Sequence, residues 1–393
     1  MINKIKLKHL KYIFFTPHLI FFYFYNKIKN IKFFDYPSNF GMSLHYFDYI
    51  YNLKKKKIFL VSRNRNPNTF LEKLFISKLN LKKNYLVLVY ELICFFNLNS
   101  LLLKLPGEVK ITDITIKKKS YFVKNKFSLI NYDNFIKNFN LENKKWIVIH
   151  NRDEVYLKKV YQNINWDYHA HRDSKIKTFY SAIKYFLKNG YSVVRVGKYA
   201  KEKASIKKVN GNVFIDYPFV SHKKDVYDIY FLNHCKLYFG SDSGVNVLPM
   251  NCNIPIAQNN FSPTQIDQLF IGNRFPSIIK KIFCLKKKNY LSLKEMFEKK
   301  LHRIVKNDDL LNLGYSLEDN SELEILNQAK ECLNVLNKLE SYESYVKKNK
   351  DYYDELAKIC KFYIINNQPD LKNIKFKFFL SPYFLEKNKF LLR

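Results

Sequence analysis

From residue 31 the chain alternates short apolar runs with amphipathic ones. IKFFDY (31–36) and KIFLVS (57–62) read as strands, each followed by a helical pattern: NFGMSLHYFDYIYNL (39–53), opened by a glycine turn, and NTFLEKLFISKL (68–79). The stretch 84–135 has apolar runs at 85–104 and a turn at Gly107 but no clean period. Alternation restarts at KKWIVIH (144–150), an apolar run of the kind that a strand buried on both faces carries. In 174–190, Ile176, Phe179, Ile183, Phe186 and Leu187 recur at helical spacing, with Ser174 placed as an N-cap and Gly190 as the closing residue. Strands follow at 191–197 and 212–217, a helix at 224–235, and strands at 236–240 and 254–258. Strand–helix alternation predicts an α/β fold with a parallel sheet, and the half from 144 reads as a complete nucleotide-binding-type domain. Beyond about residue 290 the pattern turns helical and charged, at 291–304 and 321–342, where Ser321 and Glu324 have capping-box spacing.

Composition changes this picture little. A net charge of +34 over 393 residues would ordinarily point to a polyanion. Here Lys, Asn, Ile, Phe and Tyr are all abundant, the signature of an AT-rich coding bias, and the lysines are spread along the whole chain. A nucleic-acid binder would cluster them with aromatics on one face, so no nucleic-acid partner is expected. None of the six cysteines forms a CxxC pair and no Cys/His set has zinc spacing, so they read as buried thiols of a reducing compartment. The apolar run YIFFTPHLIFFYFY (12–25) is short for a bilayer span, is interrupted by Pro17 and His18, and lacks a small-residue cleavage site. A buried helix, an interfacial anchor and a poorly ordered lead all remain open for it.

Four polar clusters fall at the carboxyl ends of the expected strands. SDSG (241–244) follows one of them, where Ser241, Asp242, Ser243 and Gly244 would present hydroxyls and backbone N–H groups to an anion; an ordinary capped turn is the alternative. IHNRD (149–153) places His150 and Arg152 at alternate positions, and arginine suits bidentate contact with phosphate. The chain has only eight arginines, and Arg152, Arg172 and Arg195 share one segment of it. NWDYHAHRDS (165–174) gathers Asp167, His169, His171, Arg172 and Asp173, and VVRVGK (193–198) adds Arg195 and Gly197. Strand-end arginines also serve in salt bridges, and a third metal ligand near the two histidines has no recognisable spacing. P-loop, dinucleotide and DxD signatures are all missing from the sequence.

In this order the motifs resemble a family of bacterial glycosyltransferases for surface polysaccharide, near the fucosyltransferase-like group. The likeness is good over 145–258, fair over 290–393, where LEDNSELEILNQAKECL and SPYFLEKNKFLL carry it, and poor over 1–135. It implies two Rossmann-like domains facing a central crevice (GT-B architecture) with C-terminal helices. The corresponding boundaries are an apolar segment at 1–28, an acceptor-side domain at 29–140, a nucleotide-sugar domain at 141–310 and a helical region at 311–393. It also implies metal-independent transfer of a hexosyl or deoxyhexosyl group from a nucleotide-diphosphate sugar, GDP-type favoured, with no further cofactor, to a glycan or lipid-linked acceptor. His150, Arg152, Arg172, Arg195, Gly197 and Ser241 to Gly244 are then expected at the donor, Arg152 on its pyrophosphate, and His45 or His169 as the base. A cytoplasmic protein in peripheral contact with the anionic inner membrane face fits that acceptor. A catalytically inactive glycan- or nucleotide-binding protein of the same fold is the alternative.

Overall fold

The computed structural model describes residues 23–25, 27, 31–35, 40–53, 57–61, 68–78, 82–84, 98–103, 121, 132–160, 162, 165–263, 275–304, 306–338, 341–367 and 380–393. The apolar run 12–25 lies outside them except for its last three residues, as does most of 84–131. By its internal contacts the chain divides into two units, Met1–Tyr121 and Phe122–Arg393. The sequence reading drew its line near residue 140. The helix Tyr132–Asn138 falls in the second unit because Phe135 packs its ring against Tyr227, Tyr230 and Phe231 there. The 311–393 region also belongs to the second unit.

The first unit carries a parallel sheet in the order β1 (Ile31–Asp35), β2 (Lys57–Val61), β3 (Lys82–Asn84). Phe33 of β1 also bridges to Leu102. The crossover helices are Phe40–Leu53 and Thr69–Lys78. Gly41 lies inside the first of these helices instead of in a turn before it. Asn68 starts the second, accepting the Leu71 N–H on its Oδ1 at 2.9 Å. Leu44, Phe47, Ile50, Leu71 and Leu74 are buried and form the core that the helical spacing implied.

The second unit is built on a five-stranded parallel sheet. Its strands are β4 (Lys145–His150), β5 (Tyr191–Arg195), β6 (Phe214–Asp216), β7 (Leu237–Gly240) and β8 (Ile256–Gln258), in the spatial order β6-β5-β4-β7-β8. Helices cover both faces. Phe239 of β7 meets Phe179 and Phe186 on one side, the second of these on helix Tyr180–Lys188. On the other side the Trp146 indole of β4 donates to the Phe231 carbonyl of helix Asp225–His234 at 3.0 Å. Strands sandwiched in this way are apolar throughout, which is why WIVI and LYF were legible as strands. The chain is an α/β protein, as expected, and this sheet has the doubly wound strand order in which direction reverses between β4 and β7.

Beyond this sheet the structure differs from the helical expectation. A small antiparallel sheet joins β9 (Lys281–Cys284), β10 (Asn289–Tyr290) and β11 (Tyr315–Glu318) in the order β10-β9-β11. The strands are short and a lysine-rich turn separates the first two, so no period-2 signal stands out. The helix expected over 291–304 breaks into Leu293–Glu298 and a 3-10 turn, Leu301–Arg303, because Lys300 adopts a left-handed φ of 57°. Helix Glu322–Leu336 begins at Ser321 with the expected capping box and packs on helix Tyr180–Lys188. Cys235, Cys252, Cys284 and Cys332 are free thiols. Among the described residues no helix is long and apolar enough to cross a membrane.

Candidate functional site

In an open parallel sheet, ligands bind beyond the carboxyl ends of the strands where the strand order reverses. Here that point lies past His150 of β4 and Gly240 of β7, which are register partners. Strand pairing stops at His150, so Arg152 sits two residues into the turn beyond it. Its guanidinium is ion-paired with Asp173, and its carbonyl accepts the Ser174 N–H at 2.9 Å. Across from it, Arg172 donates from Nη2 to Asp242 Oδ2 at 2.7 Å. The loop after β4, the 3-10 turn Asp167–Arg172 and the turn after β7 therefore meet at one place.

Each of the three cations there, Arg152, Arg172 and Lys280, has a carboxylate partner. Burial lowers the Arg152 pKa from its ordinary value, and the positive charge of Arg172 lowers it further against the opposing pull of Asp173 and Asp242. The two guanidiniums are thus close enough to repel. The Arg172 Nε is buried with no hydrogen-bond partner. Burial raises the Asp173 carboxyl to about 6, although Arg152 and Lys280 pull it down. Lys280, only 3 % exposed, reaches in from the segment before β9. Its Nζ donates to the Asp173 carbonyl at 2.7 Å and pairs with Asp319 at 2.6 Å. Three cations and the carboxylates that hold them are gathered beyond the end of the sheet, with Arg152 and Arg172 still partly accessible.

The other expected residues take different places. His150 is buried, with its Nδ1 at 3.0 Å from the Val196 carbonyl and Gly197 against its ring. Burial lowers its pKa to about 4, so the ring is neutral at neutral pH. Arg195 is 1 % exposed and is spent on interior partners: Nη1 donates to the Glu202 carbonyl at 2.6 Å and to Asp216 at 3.2 Å. Asp216 is its register partner on β6, and the Nη2 lies 4.0 Å from Asp153. Ser241 is wholly buried, its Oγ 2.7 Å from that of Ser174. Ser174 therefore does not cap the following helix, which starts through a 3-10 turn at Ile176–Phe179. Ser243 accepts the Val245 N–H, so this hydroxyl caps the 3-10 turn Gly244–Asn246. Gly240 is required by the sheet: a Cβ there would lie 2.3 Å from the His150 carbonyl oxygen. Gly197 has a φ of 143°, a left-handed conformation that favours glycine.

His169 lies on the 3-10 turn that delivers Arg172, and its side chain is outside the described ones. His45 belongs to the first unit, on helix Phe40–Leu53; burial lowers it to about 4 and its Nδ1 is buried without a partner. Among the described residues no three His, Cys, Asp or Glu side chains gather as metal ligands.

Sequence reasoning missed the residues behind the arginines. Asp242 Oδ1 accepts from Asn246 Nδ2 and Gln258 Nε2, each at 3.3 Å. Gln258 in turn is bonded through its carbonyl to Gln328 Nε2 at 2.8 Å. A glutamine closing the apolar run IPIAQ was a readable signal. Lys280 offered none, as one lysine among sixty.

The second unit is thus a doubly wound α/β unit with arginines at its switch point. No protein-family model matches this chain, and no curated protein matches it. Among solved structures it is similar to a glycosyl transferase family 9 protein from Veillonella parvula, at 11% identity and a TM-score of 0.40 over 78% of this chain and 97% of that one. It is also similar to the ADP-heptose LPS heptosyltransferase II of E. coli, at 12% identity and a TM-score of 0.39 over 78% of this chain and 98% of that one.

Proposed function

We propose that this chain is a glycosyltransferase of the GT-B type that moves a hexosyl or deoxyhexosyl group from a nucleotide-diphosphate sugar to a glycan or lipid-linked acceptor of surface polysaccharide. The observation that carries the reading is the pair of partly accessible arginines, Arg152 and Arg172, which meet at the switch point, each held by one carboxylate. When a glycosidic bond to a diphosphate breaks, negative charge grows on the departing phosphate oxygens. Planar guanidiniums already fixed in place stabilise that charge without reorganising. In this reading Arg152 and Arg172 take the diphosphate, do the work a divalent metal would otherwise do, and Asp173 and Asp242 hold them in position.

The acceptor hydroxyl attacks the anomeric carbon as its proton passes to a base. His45, with its pKa near 4, is a poor base at neutral pH, which leaves His169 as the better of the two histidines. Arg195 and Ser241 act as supports of the sheet end in this scheme, since both are consumed by interior partners. Peripheral attachment to an anionic membrane from the cytoplasmic side belongs to the same reading and draws on the high positive charge.

Thermal melts with GDP, UDP, ADP and CMP, with and without EDTA, test it. A ligand bound only by the folded chain raises the melting temperature. One nucleoside diphosphate, GDP first, should do so equally in EDTA, and Arg152→Ala should abolish the shift while melting cooperatively. A cooperatively melting wild-type protein that no nucleotide shifts would overturn the reading.

A further inference from the structure

We propose that Gln258 is a positioning residue for the anion site: its buried amide fixes Asp242, and through Asp242 the guanidinium of Arg172. The inference rests on the reading of that site as one for a diphosphate.

Gln258 closes β8 directly after the apolar Ile256 and Ala257, and it is wholly buried. An amide side chain in such a place costs stability unless its polar atoms are bonded. The side-chain amide donates to Asp242 Oδ1 at 3.3 Å, and the main chain of Gln258 is held as well. Its N–H donates to Ser277 Oγ at 3.0 Å, and its carbonyl accepts the Ile278 N–H and the Gln328 amide, both at 2.8 Å. Gln328, itself fully buried on helix Glu322–Leu336, also donates to the Pro276 carbonyl at 2.8 Å. The backbone of Gln258 is therefore held from the neighbouring segment and from helix Glu322–Leu336, while its Nε2 donates to Asp242.

Asp242 divides its oxygens. Oδ1 takes the amides of Gln258 and Asn246, and Oδ2 takes Arg172. Two donors on one oxygen stop the carboxylate from rotating, so the other oxygen stays where Arg172 meets it. Among the described residues the Arg172 guanidinium donates only to Asp242, to its carboxylate at 2.7 Å and weakly to its carbonyl at 3.5 Å, and its Nε has no partner. Its orientation thus follows that of Asp242. The path Gln328–Gln258–Asp242–Arg172 joins helix Glu322–Leu336 to the one arginine of the pair that approaches from the far side of the switch point.

Gln258→Leu keeps the volume and removes the donor. The first readout needs no ligand: the side-chain Nε–H resonance of Arg172 in the free protein. It should move or broaden in Gln258→Leu, while that of Arg195, held by Asp216, stays in place. The second is calorimetric affinity for inorganic pyrophosphate and GDP in wild type, Gln258→Leu, Arg172→Ala and the double variant. Loss of a donor to a charged group should weaken binding about tenfold. The same change should have no further effect in the Arg172→Ala background, because both act through one contact. An unmoved Arg172 resonance, or equal weakening in both backgrounds, would overturn the proposal. If wild type binds neither probe, the diphosphate reading falls, and the resonance alone decides whether Gln258 orients Arg172. Should Gln258→Leu not fold, Asn246→Ala removes the other donor to the same oxygen and takes the same two measurements.

Discussion

A methyl group at position 240 would stand 2.3 Å from the carbonyl oxygen of His150 and 2.7 Å from its nitrogen, both backbone atoms that cannot swing aside. Gly240→Ala must therefore part β4 from β7 at the point where the site begins. A loss of about 3 kcal/mol in urea unfolding is expected; unchanged stability would mean that the strands separate there at no cost. The same contact explains why the glycine was legible but its purpose was not. In the sequence Gly240 looks like room for a phosphate, and only the register with His150 shows that it is room for a strand. Arg195 has the same history. A lone arginine at a strand end resembles a ligand for an anion, yet its carboxylate partner sits opposite on β6, and register is not written in either strand alone. Arg152 and Arg172 look no different in the sequence. They differ in having partners at the rim, where each side chain stays partly exposed.

Elements with strong local signals were readable, and elements that depend on long-range partners were not. The buried strands of the second unit announce themselves as unbroken apolar runs, and helix Glu322–Leu336 by its capping box. In that box the Ser321 hydroxyl accepts the Glu324 N–H at 3.2 Å while the Glu324 carboxylate accepts the Ser321 N–H at 2.8 Å. Ser321→Ala should cost about 1 kcal/mol by chemical denaturation, and an unchanged midpoint would show that tertiary packing alone starts this helix. Glu324 also pairs with Lys281 of β9 at 3.2 Å, so the cap ties the helix to the small antiparallel sheet. That sheet stayed hidden because strands of two to four residues beside a lysine turn carry too few positions to set a period. Ser174 shows the converse error. Its position suits a cap, but Ser241, far away in sequence, takes its hydroxyl.

At the scale of the molecule, two sets of buried groups pull the pH dependence in opposite directions. His45 and His150 have folded pKa values near 4, so between about pH 6.5 and 4 the unfolded chain binds protons that the folded chain refuses. Stability from this source is lost as the pH falls through that window. Burial raises Asp173 to about 6 and Asp228 to about 7, and here the folded chain holds protons that the unfolded chain has released, so acidification stabilises. The wild-type melting temperature should therefore change little over the window. His150→Gln cannot take up a charge, so its melting temperature relative to wild type should rise from pH 7 to pH 4.5. A constant difference at both values would mean that His150 is not held neutral. The parallel order of the two α/β sheets, β1-β2-β3 and β6-β5-β4-β7-β8, followed from alternation in the sequence. The division at Tyr121 did not, since it is set by ring packing of the helix Tyr132–Asn138 on residues nearly a hundred positions later.

The amide of Gln328 reaches its partner on β8 across seventy residues of chain. During synthesis, all five strands of the large sheet leave the ribosome before that helix does. Until it arrives, the Gln258 carbonyl has the Ile278 N–H but not the Gln328 amide, and the edge of the nascent sheet lacks its clasp. On this order of translation the hold on Asp242 and Arg172 is completed after the strands, and a message cut short before residue 328 would yield a sheet with its strands present and the support behind Asp242 missing.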